Sequence, residues 1–488
     1  MPAPDKGARV PRRSTPVTNA AAEPPPLYAA REPVFPRRVS GRFRRLKWWI
    51  MAVTLGIYYL LPWIRWDRGP AMPDQAVLVD LANRRFYFFF IEIWPQEFYF
   101  VAGLLIMAGL GLFLFTAALG RVWCGYACPQ TVWTDLFILV ERWVEGDRNA
   151  RVRLWNAPWS ATKARLRATK WTLWLLIAIA TGGAWVFYFT EAPTLLGQLL
   201  RFEAPATAYA TIALLTATTF VLGGFMREQV CVYMCPWPRI QAAMMDEGTI
   251  TVGYRVARGE PRGKHQARSA APHGDCVDCR ACVNVCPMGI DIRDGQQLAC
   301  VTCALCVDAC DEVMGKLGKP RGLIDYLTLA EEAGAPSPGG SPWRRVFRPR
   351  IVLYVVLWAG IGLGLLYALA TRTDLSLSVE PIRDPINVTL SDGSIRNAYE
   401  LRLRNMTGYP RAVTISSAAE APLLLELQGV EGTTVTVPAN ETLRQRAYLT
   451  GAPDSPATAE PSMPIALIAE DAAGARAEEA SVFHGRQR

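Results

Sequence analysis

The sequence predicts a polytopic α-helical membrane protein with a cysteine-rich insert and a separate all-β domain at its C-terminal end. Three observations support this fold class. Hydrophobic residues make up 51% of the 488 residues, which is high for a soluble protein. Several apolar runs approach the ~20 residues that a helix needs to cross a bilayer. Residues 374–488 change to short runs of alternating polarity, which is typical of strands.

The first part of the chain contains four of the five predicted transmembrane helices. Residues 1–40 are rich in Pro, Ala and Arg and lack apolar periodicity, so they predict a disordered cytoplasmic tail without a cleavable signal. The membrane part then covers residues 41–226. The five predicted spans are residues 48–64, 98–119, 171–189, 206–225 and 351–370. Residues 131–144 predict a further helix that lies at the membrane interface.

The distribution of lysine and arginine predicts the orientation of these helices. The loops carry eleven such residues in 1–47, nine in 121–170, four in 65–97 and one in 190–205. Because basic loops stay on the inner side, the N-terminus and residues 227–343 are predicted to be cytoplasmic and residues 374–488 periplasmic. This describes a multi-pass membrane protein. Membrane orientation accounts for the net charge of +9, so nucleic acid is not an expected partner.

Eight cysteines between residues 276 and 310 repeat one spacing twice. Each run reads C-x2-C-x2-C-x3-C, the spacing of ferredoxins with two [4Fe–4S] clusters, in which the fourth cysteine of each run binds the other cluster. The predicted ligand sets are Cys276, Cys279, Cys282 and Cys310 for one cluster, and Cys286, Cys300, Cys303 and Cys306 for the other. A zinc site or a disulfide framework is the alternative. Residues 227–343 form this region, with its core at 270–316, and Asp311 stands where a proline is usual.

A second type of cysteine motif follows the second and fourth predicted spans. Both copies read C-x-Y-x-C-P, and they contain Cys124 with Cys128 and Cys231 with Cys235. If the helix continues through a copy, its two cysteines stand one turn apart on one face, and the proline then breaks the helix or starts a new one. The four thiols could hold a further Fe–S cluster, bind Cu(I) or act as a redox dithiol. Alternatively, they are small buried hydrophobic residues.

Histidine is rare in the chain, which excludes some redox chemistry. His265, His273 and His484 are the three histidines, and none lies in an apolar run. A bis-histidine haem inside the membrane and quinone chemistry through an intramembrane histidine are therefore excluded.

Residues 374–488 predict an immunoglobulin-like sandwich. Seven or eight short runs of period two are separated by Gly, Pro, Asn and Asp. The segment contains no cysteine, so its core forms without a disulfide. It also lacks a catalytic constellation, which favours an interaction module. Residues 331–342 predict the linker that returns the chain to the last span.

Taken together, these motifs resemble the family of cytochrome c oxidase accessory proteins called CcoG, FixG or RdxA. The resemblance runs from the basic entry at Arg42 through both Cys-Pro motifs and the double ferredoxin run to the β domain. It implies a role in assembling cbb3-type cytochrome c oxidase, as a reductase that converts Cu(II) to Cu(I). The resemblance also implies four catalytic thiols, which hold copper or a further cluster. They are Cys124, Cys128, Cys231 and Cys235. The implied partners are a cytoplasmic electron donor, copper ions, and cbb3-type oxidase subunits or copper-delivery proteins.

Two other functions fit the same residues. One is a membrane ferredoxin of the NapH kind, which relays electrons to or from quinol without copper specificity. The other is a non-catalytic assembly scaffold whose β domain docks the oxidase and whose clusters sense redox state. The terminal β domain separates the chain from the NapH kind.

Overall fold

The structure is a computed structural model that describes residues 33–263, 274–332 and 348–486. Residues 1–32 of the predicted tail, two of the three histidines and most of the predicted linker lie outside these ranges. The described residues form a helical part, a cysteine-rich part and a β domain. The helices of the first part are α1 Arg42–Leu60, α2 Phe98–Leu119, α3 Val122–Tyr126, α4 Pro129–Glu145, α5 Arg148–Asn156, α6 Ala161–Val186, α7 Ala192–Arg201 and α8 Ala206–Thr218.

The cysteine-rich part combines short helices with a two-stranded antiparallel sheet. Its helices are α9 Trp237–Met244, α10 Val256–Gly259, α11 Ala281–Val285, α12 Leu305–Lys316 and α13 Leu329–Glu332. A long helix, α14 Pro349–Ala370, then leads to the β domain. A three-stranded sheet between α1 and α2 precedes all of these. The strands before the β domain are β1 Val77–Asp80, β2 Arg85–Phe88, β3 Ile91–Ile93, β4 Ile250–Tyr254 and β5 Ile324–Thr328.

Three helical segments of the described chain are long and apolar enough to cross a membrane. They are Pro95–Leu119, Ala206–Met226 and Pro349–Ala370, and the second becomes π-helical from Thr219. Helices α1 and α6 begin earlier than the predicted spans at 48 and 171, because their basic first turns are also helical. At α6, the Ser160 side chain caps the helix by accepting from the backbone N–H of Lys163 at 3.2 Å. The count of five spans stays a prediction.

Helices α2 and α14 pack side by side in opposite directions. Gly103 allows the close approach, because a Cβ at this position would come within 2.7 Å of the Leu365 side chain. At the other end of the pair, Ile351 is buried against Ala117. The start of α2 therefore lies near the β domain, and its end lies near the cysteine-rich part.

The loops gather at the two ends of this helix pair. At one end, the first sheet meets the β domain, where Arg85 donates to the carbonyl of Asn440 at 2.9 Å. An ion pair of 2.9 Å at the same end joins Arg372, just after α14, to Glu97, just before α2. At the other end, the backbone N–H of Arg37 donates to the carbonyl of Asn284 at 2.7 Å. Residues 33–40 are thus ordered by packing, so the predicted disordered tail was wrong for them.

The β domain consists of two antiparallel sheets around a shared hydrophobic core. The strands are β6 Leu375–Pro381, β7 Val388–Thr389, β8 Ile395–Asn405, β9 Arg411–Ala419, β10 Leu424–Leu427, β11 Thr434–Val437, β12 Thr442–Gly451, β13 Met463–Asp471 and β14 Arg476–Phe483. One sheet has the order β10-β12-β8-β6 with β7 also paired to β8, and the other has the order β11-β9-β13-β14. Alternate residues of β8 are buried, which is the pattern that the sequence predicted for half-buried strands. A short helix, α15 Pro456–Ala459, precedes β13.

Helix α4 carries three buried carboxylates that pair with bases from other elements. Asp135 pairs with Arg44 of α1 at 2.9 Å. Glu141 pairs with Arg151 of α5 at 2.9 Å, with Lys170 of α6 at 3.4 Å, and with Arg227. Glu145 pairs with Lys170 at 2.9 Å and with Arg167 at 3.1 Å. The helix predicted to lie at the membrane interface is therefore also a packed centre of ion pairs.

Replacing Glu141 with Gln is expected to destabilise the protein by about 3–5 kcal/mol, because three buried bases lose their shared carboxylate. Burial acts to raise the pKa of Glu141, but Arg227 and Lys170 bring it below its ordinary value. Its contribution is therefore present at neutral pH and is lost as the pH falls through the folded-state pKa. Thermal unfolding of the detergent-solubilised protein at several pH values measures both effects. The control, Glu312→Gln, breaks an exposed pair with Lys316 and is expected to cost less than ~0.5 kcal/mol.

Candidate metal centre

The first predicted ligand set gathers around α11 and α12. Cys282 lies in α11, Cys310 lies in α12, and both are buried together with Cys276, whereas Cys279 is exposed. Burial raises the pKa of Cys310 to about 12, and the neighbouring sulfurs of Cys282, Cys279 and Cys276 act in the same direction. The structure thus brings the fourth cysteine of the second run to the first three cysteines of the first run.

The second predicted ligand set lines one small cavity. Its members are Cys286, Cys300, Cys303 and Cys306. Burial raises the pKa of Cys286 to about 12, with Cys303 and Cys300 as neighbours. Cys282 of the first set also lies on this cavity, so the two sets are adjacent.

The backbones of the two cysteine runs have the same local form. Asp278 and Arg280 flank Cys279 with φ of 50° and 55°, and Thr302 and Ala304 flank Cys303 with φ of 55° at each. Left-handed residues on both sides of the second cysteine turn the chain sharply, so that neighbouring thiols lie on the concave side of a loop. The repeat in the sequence is therefore also a repeat in structure.

The donor set fits iron–sulfur ligation. All twelve cysteines are free thiols, as ligation to iron requires, and none is joined in a disulfide. Thiolates are the ligands of [4Fe–4S] clusters, and because these buried thiols have raised pKa values, cluster binding must displace their protons. In the described ranges, no three His, Cys, Asp or Glu side chains converge closely enough to hold one metal ion.

Arg293 is a neighbour of the first set that the sequence analysis did not identify. Its guanidinium lies 4.0 Å from the sulfur of Cys276 and pairs with Asp278 at 2.6 Å and Asp291 at 2.7 Å. Hydrogen bonds to ligand sulfurs tune cluster potentials, so Arg293 belongs to this centre. No spacing rule in the sequence marks it.

The two Cys-Pro motifs do not continue the preceding helices. Helix α3 ends at Tyr126, Cys128 is extended with ψ of 128°, and Pro129 is the first residue of α4. In the second copy, Cys231 lies in a π-helical turn, Cys235 is extended with ψ of 122°, and Pro236 directly precedes α9. The condition for a spacing of one helical turn is therefore not met, and the prolines introduce the next helices, which was one of the two predicted alternatives.

The same two motifs meet in space. Burial raises the pKa of Cys231 to about 12, and the sulfurs of Cys128, Cys124 and Cys235 are close enough to raise it further. Four thiols from elements that are about 100 residues apart in sequence thus form one group, which we call the Cys-Pro thiols. Because the four thiols lie together, burial of each cysteine as a small hydrophobic residue does not fully explain the two motifs.

The first Cys-Pro motif packs directly on the loop around Cys303 in the second ligand set, which we call the Cys303 loop. The hydroxyl of Tyr126 donates to the carbonyl of Cys303 at 3.1 Å. A Cβ at Gly125 would come within 2.5 Å of the carbonyl oxygen of Val301 and 3.0 Å of the Cα of Cys303. The glycine therefore permits an approach that a larger residue would block. The sequence placed these elements on one side of the membrane but did not indicate this contact.

Two buried polar residues accompany Cys124. The thiol donates to Oε1 of Gln241 at 3.2 Å. Burial raises the pKa of Cys124, and the nearby guanidinium of Arg121, which is 3% exposed, opposes that rise. Arg121 also donates to the carbonyl of Leu298 in the ferredoxin part. The sequence offered one signal for a charged neighbour of these thiols. A basic residue follows each preceding apolar run, Arg121 in one case and Arg227 in the other.

The apolar helices, the ferredoxin-like thiol sets and the β domain define a membrane-associated iron–sulfur redox protein. Comparison with known families agrees with this class. Residues 226–329 match the 4Fe-4S dicluster domain, residues 100–146 match a 4Fe-4S binding domain, and residues 365–486 match the IG-like fold at the C-terminal of FixG. The β domain predicted from the sequence is thereby confirmed as immunoglobulin-like.

Similar proteins extend over nearly the whole chain. Protein RdxB of Cereibacter sphaeroides is 65% identical over 466 residues, covering 94% of this chain and 98% of that protein. Protein RdxA of the same organism is 60% identical, covering 94% and 99%. Nitrogen fixation protein FixG of Rhizobium meliloti is 57% identical, covering 85% and 84%. The chain therefore belongs to the FixG/RdxA family, and the resemblance found in the sequence is confirmed.

Replacing Gly125 with Ala is expected to displace the Cys303 loop, because the added methyl group overlaps the carbonyl of Val301. Overpacking of this kind costs about 1–3 kcal/mol. The electron paramagnetic resonance spectrum of the reduced, iron-loaded protein is expected to change, together with a lower unfolding temperature. The control is Gly183→Ala in α6, where the new Cβ would meet no atom within 4 Å. Equal spectra for both variants would contradict the proposed contact between the two centres.

Proposed function

We propose that this protein is a cupric reductase that supplies Cu(I) for the assembly of cbb3-type cytochrome c oxidase. The observation that carries the proposal is the contact of the first Cys-Pro motif with the Cys303 loop through Gly125 and Tyr126. This contact joins a group of soft ligands to a region built for electron transfer. Thiolates favour Cu(I) over Cu(II), so a site made of them makes copper easier to reduce.

The ferredoxin part supplies the electrons in this proposal. Each of its two cysteine sets would hold one [4Fe–4S] cluster, and a bound cluster of this kind exchanges single electrons. Cys279 is exposed, so the first set is accessible to an electron donor at the protein surface. The second set lies beside the first set on one side and against the Cys-Pro motif on the other. This order suits transfer from a cytoplasmic donor toward the membrane edge.

Copper is the substrate of the proposed reaction. Each Cu(II) accepts one electron and becomes Cu(I), with thiolates among Cys124, Cys128, Cys231 and Cys235 as its soft ligands. Arg121 stabilises the anionic form of Cys124 because its guanidinium lies beside that sulfur. Gln241 orients the same thiol through their hydrogen bond. The product leaves to a copper-delivery protein or to an oxidase subunit.

The proposed location is a bacterial inner membrane, with the ferredoxin part in the cytoplasm. The charge count supports it, since the loops rich in lysine and arginine are the ones that pack with the ferredoxin part. The β domain and the first sheet then face the periplasm. There the β domain provides a surface for docking the oxidase or its copper donors.

The alternative function is an electron relay of the NapH kind, and one observation favours it. Residues 100–146, which contain Cys124 and Cys128, match a 4Fe-4S binding domain. A third cluster at the Cys-Pro thiols would make the chain a relay without copper specificity. Iron analysis separates the two functions, because two clusters give about eight irons per chain and three give about twelve.

Replacing both Cys124 and Cys231 with Ser is expected to abolish Cu(II) reduction and to leave the ferredoxin clusters intact. Purified protein, reduced and then mixed with Cu(II) and a Cu(I) chelator, gives the rate of Cu(I) formation. The control is Met234→Leu, which removes an exposed thioether of the same motif and is expected to preserve the rate. Unchanged Cu(I) formation in the double cysteine variant would exclude the Cys-Pro thiols as the copper site.

Replacing Cys310 with Ser is expected to disturb the cluster of Cys276, Cys279 and Cys282, because Cys310 lies with these three thiols. Iron content should fall toward about four per chain if that cluster is lost. The paramagnetic resonance signal of the second set should persist. Loss of the signal assigned to Cys300, Cys303 and Cys306 instead would show that each run binds its own cluster.

A further inference from the structure

A groove with basic and aromatic walls lies between the start of α1 and the C-terminal half of α4. Its volume is about 1140 Å³, which slightly exceeds the range of roughly 300–1,000 Å³ for small-molecule sites. Four arginines and two tryptophans line it, and none of its described lining residues is acidic. The lining arginines are Arg38, Arg44, Arg45 and Arg142, and the lining tryptophans are Trp48 and Trp143. We call this feature the arginine groove.

Most of the positive charge in the arginine groove is unpaired. Arg44 is neutralised by Asp135 at 2.9 Å, and its guanidinium lies 4.0 Å from the ring centre of Trp48. Within the described chain, the side chains of the other three arginines form no ion pair. Arg142 donates only to backbone carbonyls, those of Pro36 and Arg37 at 3.3 Å each, and its Nε is buried without a partner. The groove therefore attracts an anion.

An exposed apolar stripe leads away from the groove along α1. Trp49 is 71% exposed, and Val53, Ile57 and Leu60 follow it on the same face of the helix. Trp143 at the rim of the groove is 79% exposed. Tryptophans of this kind mark the boundary between membrane and water. A ligand that bridges the groove and the stripe must have an anionic head and apolar chains.

We propose that the arginine groove binds the phosphate headgroup of an anionic phospholipid, with the acyl chains along the α1 stripe. One guanidinium group can donate two parallel hydrogen bonds to two oxygens of a phosphate. The three arginines without an ion pair therefore suit a phosphate ligand. Anionic lipids are abundant in inner leaflets and are bound by basic pockets beside membrane helices. The chain's own residues 1–32 are a poor occupant, because they contain five basic and three acidic residues.

The test uses the full chain, delipidated in a neutral detergent and titrated with cardiolipin, phosphatidylglycerol or phosphatidylcholine. Native mass spectrometry counts the bound lipid and gives an apparent Kd for each. The test variant is Arg45→Gln with Arg142→Gln. The charge-matched control is Arg153→Gln with Arg165→Gln, two exposed arginines of α5 and α6 outside the groove. Iron content and unfolding temperature verify that both double variants are folded.

The expected result is preference for the anionic lipids over phosphatidylcholine and a loss of about fivefold in affinity per groove arginine, or ~25-fold for the test variant. The control is expected to bind within about twofold of the unchanged protein. Equal binding by the test variant and the control would overturn the proposal. So would displacement of the lipid by inorganic phosphate at a similar concentration, which would identify a site for a soluble anion.

Discussion

The buried ion pairs of α4 are the constraint on which the arrangement of the metal centre depends. Glu141 joins α5, α6 and Arg227 in one cluster, and Asp135 ties α1 to the same helix. Since α4 begins at Pro129, directly after Cys128, its position fixes the first Cys-Pro motif. Arg227 lies just before Cys231 and carries the same constraint to the second motif. Buried pairs contribute little net stability, so their main effect here is to select one arrangement of the helices.

This arrangement sets the order of the three thiol groups. The exposed Cys279 marks the first set, the cavity lined by Cys303 and its partners is adjacent to it, and the first Cys-Pro motif packs on the loop of that second set. Close contact between the last two groups requires the missing side chain of Gly125. Electron transfer depends steeply on separation, so a fold that allows backbone contact at this point is suited to passing charge between centres.

Sequence reasoning succeeded where one residue pattern determines structure. Helix α2 has the predicted limits of 98–119, because the helix coincides with its apolar run and includes no basic residue. The predicted start of α1 was late, since the helix includes basic residues whose carboxylate partner, Asp135, is about 90 residues away in sequence. Strand β14 lacks a regular alternation of apolar and polar residues, since it is a polar edge strand with most residues exposed. The meeting of Gly125 with the Cys303 loop had no local signal at all.

The exposure of Cys279 has a consequence for the lifetime of the protein in air. Three thiols of its predicted ligand set are buried, so molecular oxygen and peroxide reach the Cys279 thiol first. Oxidation of an accessible thiolate proceeds through sulfenic acid, which no longer holds iron. Aerobic damage would therefore begin at Cys279 and reach the buried thiols of its set last. The opening that admits a reductant to this thiol set also admits oxidants.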